Sequence, residues 1–454
     1  MRRAERVFCV VPVLCLLTAV SCGRSASDEA SGAEAFTDWA GNHAVRLATV
    51  EPGSGFEDLS AFGEMVGDAH VVCLGESRHD IHEQFRLKHR LIEHLVEVKG
   101  FTAVVFEEGM PYARKVDAYV LGEEEDPEDL LDGMCGWFAW NTEEVLDLLH
   151  WMRNHNADPA TKKPVRFFGV DVAAPKIGIE NVLTYLDRVD PSYAAVLRGK
   201  PLGLDLLDDR MWMVGMQAYS DLTEKERVSL ISTFEGLVTH IEEKRETYTP
   251  RSSASEYGWA LRDAKVALAA NRMYASGSRV EGGMIRDQAM AENLLWIMEH
   301  EIPGERIVFW AHNAHVSRSP IVMSGISDTP LEDTAYHLSP VLGDRLFTVG
   351  AVFGHGECPE GAPPGLEDLD TPDPGRFDGA LASTGIPILL LDLRSVPEGS
   401  PVAAWLGDEQ AMRAQMGDML LRPAAAYDAV YFVDVATRTL PTASALESFG
   451  KLQH

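Results

Sequence analysis

Seven short, almost uninterrupted apolar runs punctuate the chain. They are HVVCL (70–74), TAVVF (102–106), VRFFGV (165–170), RIVFW (306–310), RLFTVGAVF (345–353), IPILLLDL around 387–394, and YDAVYFV (427–433). Runs without polar alternation suit strands covered on both faces, as in a parallel sheet. Between the first two, Ile81, Phe85, Leu91, Ile92, Leu95 and Val96 recur on one helical stripe, and Gly100 supplies a stop. Strand, helix of about twenty residues, strand is a βαβ unit.

Residues 176–300 follow another pattern. Apolar positions recur at helical spacing through ENVLTYLDRV, RVSLISTFEGLVTHIEE, YGWALRDAKVALAANRMY and RDQAMAENLLWIMEH, with no strong strand run. The expected fold class is therefore α/β: a mostly parallel β-sheet core flanked by helices, with 176–300 as a helical insertion over the active-site cleft. The Gly/Pro-rich segment 354–375 is expected to be a long loop, and loops of that length are often functional.

The first residues stand apart. MRRAERVF carries three arginines, VFCVVPVLCLLTAV is apolar but short for a bilayer, and SCG follows. That order predicts a signal peptide over 1–21. The end AVSC resembles a bacterial lipobox, with Cys22 as the lipidated residue. Residues 22–40 are then expected as a lipid-anchored flexible tether, and 41–454 as one domain that contains the 176–300 insertion. Localisation follows as an extracytoplasmic, membrane-anchored lipoprotein, touching the membrane only through that anchor.

Charge narrows the partners. The 454 residues carry a net charge of −30, with a pI near 4.8. An acidic surface repels nucleic acid and anionic lipid, which leaves a small molecule as the expected ligand. Beyond Cys9, Cys15 and Cys22 only Cys73, Cys135 and Cys358 remain, too scattered for a disulfide framework or a Cys-based zinc site.

Candidate chemistry gathers where the strand runs stop. Glu76 and His79 follow the first run in GESRHD, and Glu107 and Glu108 follow the second. Asp171 ends the third, and His312 and His315 follow the fourth. Ligands of open parallel sheets lie beyond the carboxyl ends of the strands, so these side chains share one rim. A neutral imidazole beside a carboxylate can take a proton from water, and a second cationic group can meet the developing oxyanion. No GxSxG is present, and Ser77 lacks the context of a nucleophile elbow. The same glutamates and histidines could instead ligate a divalent ion, although no HExxH occurs. Arg286 and Asp287 are explained equally well by a salt bridge at a helix start. His82, His89 and His94 are ordinary polar positions of the first helix.

Two blocks together resemble the erythromycin esterase family. LGESRHDIHEQFRLKHRLIEHLVEVKGFTAVVFEEG is similar to its opening motif, and RDQAMAENLLWIMEHE followed by VFWAHNAHV to its second signature. The resemblance runs over most of residues 60–440. It implies His79 as general base, Glu76 as its carboxylate partner, Glu107 as the acidic residue at the second strand end, and His312 and His315 as the paired histidines. Substrate contacts are expected from Lys88, Asp171 and Arg286. Lys88 stands where the family has arginine, Arg78 where a small residue is usual, and Asp80 where glycine is common; the last two bear on the mouth of the site.

The resulting expectation is an extracytoplasmic hydrolase that opens an ester or macrolactone by histidine-assisted water attack, with no cofactor and no metal. Two alternatives stay open: a metal-dependent hydrolase or peptidase using the same Glu/His cluster, and a binding lipoprotein without turnover.

Overall fold

A computed structural model describes residues 26–210, 212–356, 369–415 and 417–452. The signal peptide, Cys22, Cys358 and most of the expected 354–375 loop lie outside the described residues.

Among the described residues eleven strands follow in chain order: β1 (Val45–Arg46), β2 (Val71–Leu74), β3 (Ala103–Gly109), β4 (Arg166–Asp171), β5 (Ile307–Trp310), β6 (Val322–Met323), β7 (Leu346–Gly356), β8 (Ile388–Asp392), β9 (Gln410–Ala414), β10 (Gly417–Leu421) and β11 (Ala429–Ala436). The seven apolar runs are β2, β3, β4, β5, β7, β8 and β11. With β1 they form one sheet in the order β1-β8-β11-β7-β2-β5-β3-β4. From β11 to β4 every pairing is parallel, while β8 runs antiparallel to both its neighbours.

The strands alternate between two cores, which is why they carry no polar face. Val71, Cys73, Val105, Ile307 and Phe309 join one core; Val72, Leu74, Val104, Phe106, Val308 and Trp310 join the other. The first core is closed by helices within 176–300, through residues such as Ile179, Val182, Phe234, Leu237, Ala264 and Leu294. The helical block thus lies along one face of the sheet and reaches the strand ends from its side. The second core is closed by helices His82–Glu97, Met110–Val120 and Glu143–Ala157, with Phe85, Leu91, Val116 and Leu148 inward. Gly100 ends the first of these helices at φ 72°, a left-handed conformation that disfavours side chains.

Two features were not expected. Residues 26–43 form a helix, so the folded body begins before residue 41 and 22–40 is not a free tether throughout. Ala33, Phe36 and Ala40 recur at helical spacing and are buried. Phe36 packs on Phe377 and Trp405, with ring centroids 5.5 and 4.9 Å apart. The second is a small antiparallel sheet, β6-β10-β9, whose half-buried strands are too short to announce themselves.

Candidate active site

Four adjacent strands, β2, β5, β3 and β4, deliver the expected residues at their carboxyl ends. Glu76 and His79 lie in the turn between β2 and the helix His82–Glu97; His79 precedes that helix rather than riding on it. The turn is held from several sides. The Glu76 carbonyl accepts the Asn313 N–H at 2.7 Å, and the Gly75 carbonyl accepts the Tyr431 hydroxyl at 2.7 Å. Asn313 also bonds both the N–H and C=O of Ala351. A Cβ on Gly75 would come within 2.2 Å of Asn313 Oδ1, so only glycine lets the turn approach.

Glu76 is fully buried between two partners. His79 donates Nδ1–H to Glu76 Oε1 at 2.7 Å, and Lys88 donates to Oε2 at 2.5 Å. A carboxylate only accepts, so the hydrogen bond fixes the tautomer: in the neutral ring, His79 Nε2 carries the lone pair. Nε2 takes no hydrogen bond among the described residues, and the side chain keeps 22% exposure, so it can meet solvent or substrate. Burial alone would raise the Glu76 pKa, but the charges of Lys88 and His79 leave it lowered. Burial likewise opposes a charged His79, yet Glu76 outweighs it and the imidazole pKa is raised.

Lys88 is not a substrate contact, contrary to expectation. Its side chain has no exposure, and its ammonium lies 4.2 Å from the centre of the Trp310 ring, behind Glu76. It holds the carboxylate that orients the base. Arg78 and Asp80 prove to be one feature, paired side by side at 2.9 and 2.8 Å.

A second cluster centres on Glu107. Its Oε1 accepts from Arg286 Nη2 at 2.8 Å and lies 3.0 Å from His315 Nε2, while Oε2 accepts the His312 N–H at 3.1 Å. Arg286 also grips both oxygens of Asp171. Asp171 itself takes the N–H groups of Val172 and Ala173 at 2.6 and 3.0 Å and is 2% exposed. Asp171 therefore anchors Arg286 instead of touching substrate. Arg286 keeps 24% side-chain exposure, and its Nη1 has no carboxylate partner among the described residues.

The paired histidines divide into different roles. His312 donates Nε2–H to the Ser77 carbonyl at 3.0 Å, and its Nδ1 accepts the Ala314 N–H at 3.2 Å. Burial, then the nearby His79, pushes its pKa down to about 3, so it is neutral with both nitrogens engaged. It braces the two turns and, in this arrangement, has no nitrogen for catalysis. His315 lies between two carboxylates, Glu107 and Asp287, the latter 2.5 Å from Nδ1. Burial disfavours its charge, but those two carboxylates hold its pKa well above the ordinary histidine value. Only the imidazolium form offers an N–H to both carboxylates, so the geometry suits His315 to the place of a cation rather than of a base.

Asp287 is the residue that sequence reasoning set aside. It sits well inside the helix Arg279–His300, not in a salt bridge at its start, and accepts from His315 and from the N–H and hydroxyl of Thr334. Its signal was present: Arg286 and Asp287 point to adjoining groups of one site. Glu108, by contrast, faces away from this cluster and takes the N–H groups of Cys135 and Gly136 at 2.8 and 3.0 Å. That fixes the segment leading to Trp140, which stands edge-on to His79 at 5.4 Å.

Neither a nucleophile nor a ready metal cage fits these atoms. Ser77 is buried, with its N–H and hydroxyl on Gln84, and Cys73 and Cys135 are buried thiols whose pKa values burial raises. Among the described residues one trio, Asp287, His315 and Asp333, brings donor atoms within 4.8 Å of one another. Its 2.5 Å His315–Asp287 contact is a hydrogen-bond distance. Two ligands of one tetrahedral ion, each about 2 Å from it, stand roughly 3.3 Å apart.

A mostly parallel α/β sheet that carries, at its strand ends, a carboxylate-oriented imidazole and an ion-paired cluster of Arg286, His315 and three carboxylates defines the class of site. Comparison with known proteins narrows the class. The erythromycin esterase family model matches residues 96–436. Erythromycin esterase type II of Escherichia coli is 23% identical over 393 residues, spanning 80% of this chain and 90% of its own. The Bacillus subtilis (strain 168) protein YbfO is 23% identical over 352 residues, 74% of each chain. A Bacillus cereus protein of known crystal structure superposes with a TM-score of 0.78 at 25% identity, covering 90% of this chain and 99% of its own. A mutant of the erythromycin esterase EreC in its open conformation gives 0.70 at 16% identity, covering 87% and 97%. The chain belongs to the erythromycin esterase family.

Proposed function

We propose that this chain hydrolyses an ester or lactone by attack of a water that His79 activates. The observation that carries the reading is the Glu76–His79 pair, which orients a half-open imidazole with its free lone pair at Nε2. In the step proposed, Nε2 takes a proton from water as the oxygen bonds to the carbonyl carbon. The carbonyl oxygen becomes an oxyanion that the partly exposed Arg286 guanidinium stabilises, with His315, both of its nitrogens on carboxylates, as a charge behind it. Collapse breaks the bond to the alkoxy oxygen, which takes the proton back from His79 and leaves as an alcohol. Glu76 keeps its own charge throughout and steadies the transient imidazolium.

Cys22 lipidation and an extracytoplasmic, membrane-anchored location are part of this proposal. They rest on AVSC behind an apolar leader. The binding-lipoprotein alternative is disfavoured by the cost of burying so many charges, which simple ligand capture does not require.

The test is a hydrolysis screen of the purified chain from Gly23 onward against macrolides and simple esters, with and without a strong chelator. The expected result is turnover of at least one ester or lactone, with chelation changing the rate by no more than about twofold, or roughly 0.4 kcal/mol. Activity abolished by chelator and restored by one equivalent of zinc or manganese would favour the metal-dependent alternative.

A further inference from the structure

Asp333 is a buried carboxyl with no role in the reaction described above. It is 4% exposed, precedes the helix Thr334–Leu342, and makes no side-chain cap to it. Its Oδ2 has no hydrogen-bond partner. Yet it faces Asp287 and His315, with donor atoms of all three within 4.8 Å. Two carboxyl groups so close and shut from water do not both ionise unless donors satisfy each of them, and none reaches Asp333 Oδ2.

We propose that Asp287 and Asp333 form a carboxyl pair holding one proton between them, and that this pair is the positioning device that keeps His315 charged beside Glu107. Geometry decides which member bears the charge. Three donors converge on Asp287 Oδ1: His315 Nδ1 at 2.5 Å, the Thr334 hydroxyl at 2.6 Å and the Thr334 N–H at 3.0 Å. No donor reaches Asp333 Oδ2, so the negative charge settles on Asp287 and the proton on Asp333.

The titratable groups around Asp333 come from four elements. Asp287 and Arg286 face it from the helix Arg279–His300, His315 from the turn after β5, Glu107 from β3, and Tyr427 from the segment before β11. Burial first, then the Asp287 charge, pushes the Asp333 carboxyl well above its ordinary range, against the pull of His315 and Arg286. With Asp333 neutral, the carboxylates Glu107, Asp171 and Asp287 face the cations Arg286 and His315. An ionised Asp333 would add a further negative charge where an oxyanion has to form.

The pair itself is tested without any substrate, and only the kinetic arm rests on the hydrolase reading. Infrared difference spectra of the full chain at neutral pH should contain the carbonyl stretch of a protonated carboxylic acid. That band should vanish in Asp333→Asn. It should vanish in Asp287→Asn as well, because Asp333 then ionises to serve His315. Burial pushes the Glu108 carboxyl up to about 7, so it can add a band of its own; the readout is therefore the wild-type-minus-variant spectrum, and absence of the carboxylic-acid band from that difference for either substitution overturns the pair. One equivalent of bound metal that Asp333→Asn abolishes would do so too, and would make the trio a cation site. In the kinetic arm, Asp287→Asn/Asp333→Asn leaves His315 with Glu107 alone. Its imidazolium then titrates closer to the ordinary value of about 6.5. The rate of the double variant should fall at least tenfold between pH 6 and pH 8 relative to the wild type, whereas a purely structural loss would lower it equally at both. An equal loss at both would overturn the positioning role while leaving the hydrolase reading standing.

Discussion

Lys88 Nζ lies 2.5 Å from Glu76 Oε2, and neither side chain has any exposure to solvent. The ammonium is the one full charge on Glu76 opposite His79, and burial lowers its pKa to about 8 despite Glu76. Removing one member of such a pair strands the other. Lys88→Met should destabilise the fold by about 3–5 kcal/mol, and Lys88→Met combined with Glu76→Gln should recover much of that without restoring turnover. Urea unfolding of the two variants checks the first part and steady-state kinetics the second. Equal stability of Lys88→Met and wild type would refute the role given to Lys88.

His79 should dominate the chemistry. His79→Ala is expected to fold normally and to lose about 10²–10⁴ in kcat, the usual worth of positioned acid–base catalysis. His312→Ala should differ in kind, because both its nitrogens serve the turns: its thermal midpoint should fall together with its activity. Circular dichroism melts alongside initial rates separate the two patterns.

The pH dependence follows from the raised His79 pKa. The base works only when neutral, so the rate should climb as pH rises through the folded-state pKa, which lies above the ordinary value of about 6.5. Glu76 supplies the shift, so Glu76→Gln should move that limb to lower pH while cutting the rate. Stability has the opposite sense. The favourable His79–Glu76 contribution is complete below the unfolded pKa and is lost as pH rises through the folded one. A wild-type limb centred below 6.5 would count against the assignment.

Gly75 offers a purely steric check. A methyl group there meets Asn313 Oδ1 at 2.2 Å and the Val349 carbonyl at 3.0 Å. Gly75→Ala should cost about 1–3 kcal/mol and displace the Glu76–His79 turn, so kcat should fall with stability. A stable, fully active Gly75→Ala would show that the turn is less constrained than its contacts indicate.

Membrane attachment is the last expectation. Cys22→Ser should shift the protein from the membrane fraction to the soluble fraction or block its processing. One acyl chain binds only marginally, so stable anchoring takes more than one. A mature N-terminus found elsewhere than Cys22 would end this part of the proposal.

Much of this molecule could be read along the chain because the decisive signals are local. Seven strands buried on both faces require seven apolar runs, and strand ends of a parallel sheet share a rim, so the sequence alone places GESRHD, FEEG, GVD and AHNAH together. The short strands β9 and β10 and the helix Ala26–His43 escaped because their apolar positions are few and gain meaning only against a partner surface. Charge state and role escaped for a deeper reason. Arg286 meets Glu107 across 179 positions of sequence, and His315 meets Asp287 across 28. Whether an imidazole is a base, a brace or a cation depends on which acceptor lies within 3 Å of which nitrogen and on whether water can reach it. His79, His312 and His315 look alike as letters. Only the tertiary structure gave the first a free lone pair, the second two occupied nitrogens, and the third a carboxylate on each side.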